Sequence, residues 1–167
     1  GNFSLLDEED ENFDYQLLHH NGEQWLTFRL GKETYGLEIL QVRELISYPE
    51  SITRVPRMPS FLLGMINLRG MVLPIMDLRK RFEMAEYETG PFTVIIIVQI
   101  KSKVIGVVVD SVVDVVNLQQ ENLLEAPEES TELDSKFVKG LATLRGAMVI
   151  LLDLELLRAP DELEQLS

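Results

Sequence analysis

Two aspartates recur in matching contexts: Asp77 in "IMDL" and Asp153 in "LLDL", each after an apolar run and before a leucine-rich turn. Paired carboxylates can do general acid–base work when an apolar cleft holds them together and separates their pKa values. The same position, strand end before a turn, is that of a helix N-cap, whose side-chain oxygen accepts from backbone N–H groups. Asp110 and Asp114 punctuate a β-branched run and are expected to face solvent or a loop. Two arginines recur as well, Arg69 and Arg145, each in Leu-Arg-Gly. The glycine supplies a tight turn and directs the arginine outward. Arg69 could pin a local carboxylate or bind a partner, and Arg145 reads as structural. His19 and His20 are adjacent, which does not converge two rings on one metal in a defined geometry. With no cysteine, no Gly-rich phosphate cradle and no hydrolase motif, no cofactor, metal or nucleophilic site is expected.

The elements that would carry these residues read as strands. "EQWLTFRL" alternates, "GKE" turns and "TYGLEI" resumes, the signature of a hairpin. "LQVRELISYPESITRVP" reads as strand then loop, since Pro49 and Pro56 exclude a long helix. Two strands follow, joined near Arg69 and Gly70, with residues 83–91, "EMAEYETGP", as a linker. Then "FTVIIIVQI", "KSK" and "VIGVVVD" repeat the strand, turn, strand order.

Laid on itself with a shift of 70, the chain places Gly36 on Gly106, Val42 on Val112 and Glu44 on Asp114; a shift of 71 places Pro56 on Pro127. With a shift of 76, "GMINLRGMVLPIMDL" falls on "GLATLRGAMVILLDL" with six identities in fifteen, where average usage gives roughly one. This is an internal duplication. One copy of about 60 residues would bury too little to be stable alone, so the expected fold is all-β: two small barrels, spanning about 23–82 and 92–158, packed on a shared hydrophobic core. Phe61, Leu62 and Met65 are expected to fill the joint rather than line a groove.

The charge balance narrows the partners. There are 15 basic and 28 acidic residues, for a formal charge of −13, which opposes nucleic-acid binding. No apolar run approaches the ~20 residues of a membrane span, and the acidic start is unlike a secretion signal. Six acids between Asp7 and Asp14 predict a mobile acidic tail over 1–22. A C-terminal tail is expected over 159–167. The basic cluster "RKRF", Arg79 to Phe82, reads as a solvated helix face.

The run "GMINLRGMVLPIMDLRKRF", preceded by "YGLEILQVRELISYPESITRVPRMPSF" and followed by "VIGVVVDSVVDVVNL", closely resembles the CheW family of bacterial chemotaxis coupling proteins, over about residues 23–158. The resemblance implies two five-stranded, SH3-like barrels and no catalysis. It implies a cytoplasmic adaptor, associated with membrane receptor arrays, that bridges chemoreceptor tips to the regulatory domain of the histidine kinase CheA, with ring or array contacts possible. The receptor-facing groove it implies comprises Val42, Glu44, Gly64, Asn67, Arg69 and Gly70, with Glu44 and Arg69 paired; it assigns no kinase-contact residues. Two further readings stay open: a coupling domain of a longer CheV-like protein or of a surface-motility pathway, and an enzyme or ligand-binding barrel built on Asp77 and Asp153. Acidic segments before Glu23 and over 125–140 depart from the pattern.

Overall fold

In the computed structural model, residues 22–85, 87, 89–124 and 137–157 are described. The expected tails, apart from Gly22, and most of the acidic connection lie outside them. Eleven strands form among the described residues: β1 (Gly22–Leu30), β2 (Glu33–Glu38), β3 (Val42–Ser47), β4 (Leu62–Leu68), β5 (Met71–Asp77), β6 (Val94–Ile100), β7 (Lys103–Val109), β8 (Ser111–Gln119), β9 (Leu123–Leu124), β10 (Val138–Leu144) and β11 (Ala147–Leu152). Two one-turn helices, α1 (Leu78–Arg81) and α2 (Leu154–Leu157), follow β5 and β11.

The strands make two sheets, ordered β8-β1-β2-β11-β10-β9 and β3-β6-β7-β5-β4. Apart from β9, which has no counterpart strand, both orders are the same when each strand is replaced by its duplicate, but every sheet mixes the copies. The hairpin β1–β2 joins β8, β10 and β11, while β6–β7 joins β3, β4 and β5. Pairing therefore runs across the boundary that the repeat suggests. Its register reproduces both shifts of the duplication: in the two parallel pairs, Gly36 lies opposite Leu151 and Gly106 opposite Ile75.

Each sheet closes by joining its own edges. The chain beyond β3 returns to β4 through a bridge at Thr53 and Met65, and β8 leads through a single turn into β9, which pairs with β10. The second closure counts as a short sixth strand, one more than the five expected in that barrel. The matching bulges sit at matching places, at Arg43 in β3 and Val113 in β8, and between Leu62 and Gly64 and between Val138 and Gly140. Such bulges bend a strand and let a small sheet close.

Alternation sets the layers. On β1, Leu26, Phe28 and Leu30 enter the core shared by the sheets, and Trp25 enters the interior of its own barrel. On β6, Ile96, Val98 and Ile100 face the shared core and Ile95 and Ile97 fill the other barrel. That two-sided burial is why "VIIIVQI" reads as a continuous apolar run. Leu62 is in the shared core with Phe61 packed on it, as expected; Met65 belongs to no core cluster.

Gly64 is required by this closure. It holds φ 143°, and a Cβ there would lie 2.1 Å from the Thr53 carbonyl oxygen, which accepts from Met65 N at 2.7 Å. Gly64→Ala must break that bridge. We expect it to cost about 1–3 kcal/mol in a urea denaturation series, the range of strained or overpacked positions; a change under ~0.5 kcal/mol would show that the loop simply moves aside.

Candidate functional site

Glu44 and Arg69 are 25 residues apart in sequence and meet at the rim of one barrel. Arg69 lies in the two-residue connection between Leu68 and Met71, where Arg69 (φ 52°) and Gly70 (φ 87°) both take the left-handed conformation. A mirror-type turn with two positive φ angles matches the twist of a β-hairpin, and glycine at the second position makes it inexpensive. Asn67 fastens the turn by accepting from the Gly70 amide at 2.8 Å. The arginine is thus thrown outward, where its Nη2 donates to Glu44 Oε2 at 2.5 Å. Glu44 follows the β3 bulge, and its carboxylate meets the hairpin tip.

The arginine side chain is 68% exposed and the glutamate 34%. A pair this wet contributes roughly 0–1 kcal/mol to stability, so folding gives little reason for it. Around it, Val42 is half-buried against the shared core, Gly64 is buried in the barrel wall, and Asn67 and Gly70 are exposed. Gly70 has open space where a Cβ would stand. The six expected residues thus fall on β3, β4 and the β4–β5 turn, with direct contacts linking Glu44 to Arg69 and Asn67 to Gly70. Sequence reasoning missed two apolar neighbours, Met71 and Val72, exposed on the first positions of β5. Their place beside the hairpin tip, beyond the reach of the core, was the available signal.

The twin position is built differently. Arg145 (φ 52°) and Gly146 (φ 80°) repeat the turn, but Asp114 Oδ1 accepts from the next amide, Val115 N, at 2.7 Å. Aspartate is one methylene shorter than glutamate, and among the described residues no carboxylate is within ion-pair distance of Arg145. The duplicated arginines share a backbone role, and only Arg69 acquires a charged partner there.

The recurrent aspartates are caps. Asp77 Oδ1 accepts from Arg79 N at 2.9 Å, and Asp153 Oδ1 from Glu155 N at 3.0 Å, each opening a one-turn helix whose first leucine, Leu78 or Leu154, plugs the shared core. Committed to separate helices, they do not form a catalytic pair. Among the described residues no cluster of three or more potential metal ligands occurs.

Two sequence expectations need correction. The "RKRF" cluster is not a solvated face: Arg79 is only 1% exposed, and Arg81 stacks between Phe61 and Phe137, 4.9 and 4.6 Å from their ring centres. Asp110 does not simply face solvent or a loop; it accepts from Arg79 Nη1 at 3.1 Å and from the Gly31 amide at 2.7 Å. Arg79 also donates to Asp77 through Nε (3.0 Å) and Nη2 (3.2 Å) and to Thr89 Oγ1 (3.3 Å), with Tyr87 stacked over its guanidinium. Burial opposes its charge, but Asp77 and then Asp110 more than offset this and hold its pKa above the ordinary guanidinium range. The cation is what makes two carboxylates tolerable at this depth.

Comparison with known proteins bears on this site. The family model described as "CheW-like domain" matches residues 24–160. The chain is 39% identical to the chemotaxis protein CheW of Klebsiella aerogenes, over 85% of either chain. It is 33% identical to the chemotaxis protein CheW of Rhizobium meliloti, over 88% of this chain and 94% of that one. Among solved structures, the scaffolding protein TtCheW of Thermoanaerobacter tengcongensis superposes with a TM-score of 0.75 at 36% identity, covering 81% of this chain and 92% of that one.

Proposed function

The chain belongs to the CheW-like domain family, and from that premise we propose that it is a non-catalytic chemotaxis scaffold coupling the cytoplasmic tips of chemoreceptors to the histidine kinase CheA. In this reading Val42, Glu44, Gly64, Asn67, Arg69 and Gly70 form the receptor-facing groove, and the protein works in the cytoplasm, held at receptor arrays by its partners. No described helix is long and apolar enough to cross a membrane.

The observation that carries the reading is the Glu44–Arg69 pair, solvent-facing and of little use to stability, set beside exposed apolar Met71 and Val72. Acid and base side by side, flanked by apolar residues, suit an amphipathic helix that brings one charge of each sign. The recurrent carboxylates are already committed to capping, which leaves the enzyme reading without its residues.

The test is calorimetric titration of the full chain against a CheA regulatory domain and, separately, against a receptor-tip fragment. Saturable binding to both at micromolar concentration is expected. Absence of heat with the kinase domain overturns the coupling role, whatever the receptor fragment does.

A further inference from the structure

The duplicated segments carry opposite net charge. Residues 42–82 hold seven basic and three acidic side chains in a chain of charge −13. Arg79 is consumed by its buried network, but Arg43, Arg54, Arg57 and Arg69 are all exposed. Their duplicates are not basic, with one exception: Arg43 is matched by Val113, Arg54 by Glu125 and Arg57 by Glu128, and only Arg69 by arginine, at Arg145. The arginine band is thus confined to one copy.

The fold fixes where the band lies. Arg43 is the bulged residue of β3, next to Glu44, which holds Arg69. Arg54 follows the bridge between Thr53 and Met65, its Cα close against Gly64. From Met65 to Arg69 is four residues of β4, or about 13 Å. Arg57, just beyond, lies in a turn with φ 65°. The band therefore runs from the Glu44–Arg69 tip back along β4 toward its start.

The chain also carries a ligand of matching chemistry. Residues 7–14, "DEEDENFD", hold six carboxylates, and eight extended residues reach about 26–29 Å, enough to span Arg54 and Arg69. A further seven residues separate Asp14 from Gly22, where β1 begins, giving a tether of similar reach. Trp25 pairs with Glu38, and one turn leads from Glu38 into β3, so β1 starts close to the strand that carries Arg43. Tethering raises the effective concentration of such a segment to about the millimolar range, where weak, screened ion pairs suffice.

We infer that residues 7–14 dock in cis on the band formed by Arg43, Arg54, Arg57 and Arg69, and compete there with an external partner. The docking stands without the receptor reading; only the competition rests on it.

The experiment uses the full chain, labelled for amide NMR, beside a full-length variant with the six acids changed to amides (D7N, E8Q, E9Q, D10N, E11Q, D14N) and a second variant, R54E/R57E. At low salt, the amides around Arg43, Arg54, Arg57 and Arg69 shift between native and tail-neutralised chains, and the difference vanishes in ~0.5 M NaCl, where screening acts within about 4 Å. R54E/R57E removes the salt dependence of residues 7–14. Identical spectra at low salt overturn the proposal. So does a difference that grows with protein concentration, because the occupant is then a second copy. Neither outcome touches the coupling reading, as no receptor or kinase is present. Where that reading holds, neutralising the tail tightens receptor-tip binding by about two- to tenfold at low salt.

Discussion

Arg79→Met is expected to cost about 3–5 kcal/mol, the penalty of removing one partner from a buried ion pair. In a domain of this length each kcal/mol moves the thermal midpoint by roughly 2–4 °C, so scanning calorimetry should find the variant on the order of 10 °C less stable. Methionine fills much of the volume, and the loss is therefore electrostatic more than steric. It leaves Asp77, 2% exposed, with a carboxylate whose remaining donor among the described residues is the backbone amide of residue 79. The companion Asp77→Asn/Arg79→Met separates the two terms. Asparagine still caps α1 and carries no charge, so at least half the loss should return. A single variant within ~1 kcal/mol of wild type, or a double variant no better than the single, would show that the charges are not coupled.

The same network explains why the copies are not interchangeable. Position 79 is matched by Glu155, which is exposed, so the second barrel has the capping aspartate without the buried cation. In the first, Arg79 joins α1 to Asp110 at the end of β7, and Asp110 in turn takes the Gly31 amide of the β1–β2 turn. These elements belong to different sheets. The linker residues Tyr87 and Thr89 close over the same guanidinium. One side chain thus ties both barrels to the connection between the copies, and its loss should loosen the joint as well as one helix.

Much of this architecture was legible in the chain, for physical reasons that also mark where legibility ends. Leu-Arg-Gly at 68–70 and 144–146 identified the duplication and both turns, because two consecutive positive φ angles demand a restricted set of residues. Alternation showed which side chains are buried, but a strand's period is silent on which sheet it joins. The exchange of hairpins between copies rests on the parallel β2–β11 and β5–β7 pairs, contacts between residues far apart in sequence. Arg79 was misread because a run of basic residues signals solvent, while its second partner, Asp110, lies 31 residues away. Its replacement by Glu155 in the other copy was the available hint. The Glu44–Arg69 pair came from family likeness; nothing in a spacing of 25 residues requires a contact.

Arg69→Glu should leave the protein folded and remove its proposed grip on the receptor. The turn itself survives, since its geometry comes from Gly70 and from Asn67 holding the Gly70 amide, neither of which needs the guanidinium. The lost pair is worth at most about 1 kcal/mol, so the thermal midpoint should fall by no more than a few degrees. Binding responds differently, because the substitution places a second carboxylate against Glu44 on the face where a helix would have to desolvate both. Like charges brought together at an interface cost several kcal/mol; we expect at least a tenfold weaker titration with a receptor-tip fragment and an unchanged one with the CheA regulatory domain. The exchanged variant Glu44→Arg/Arg69→Glu restores the pair with reversed polarity. If recognition needs only an intact pair, it binds normally; if each charge meets its own counterpart on the receptor helix, as the proposed groove requires, it stays as weak as Arg69→Glu. A folded Arg69→Glu that binds receptor tips like wild type removes the groove assignment and leaves the fold, the Arg79 network and the kinase contact untouched.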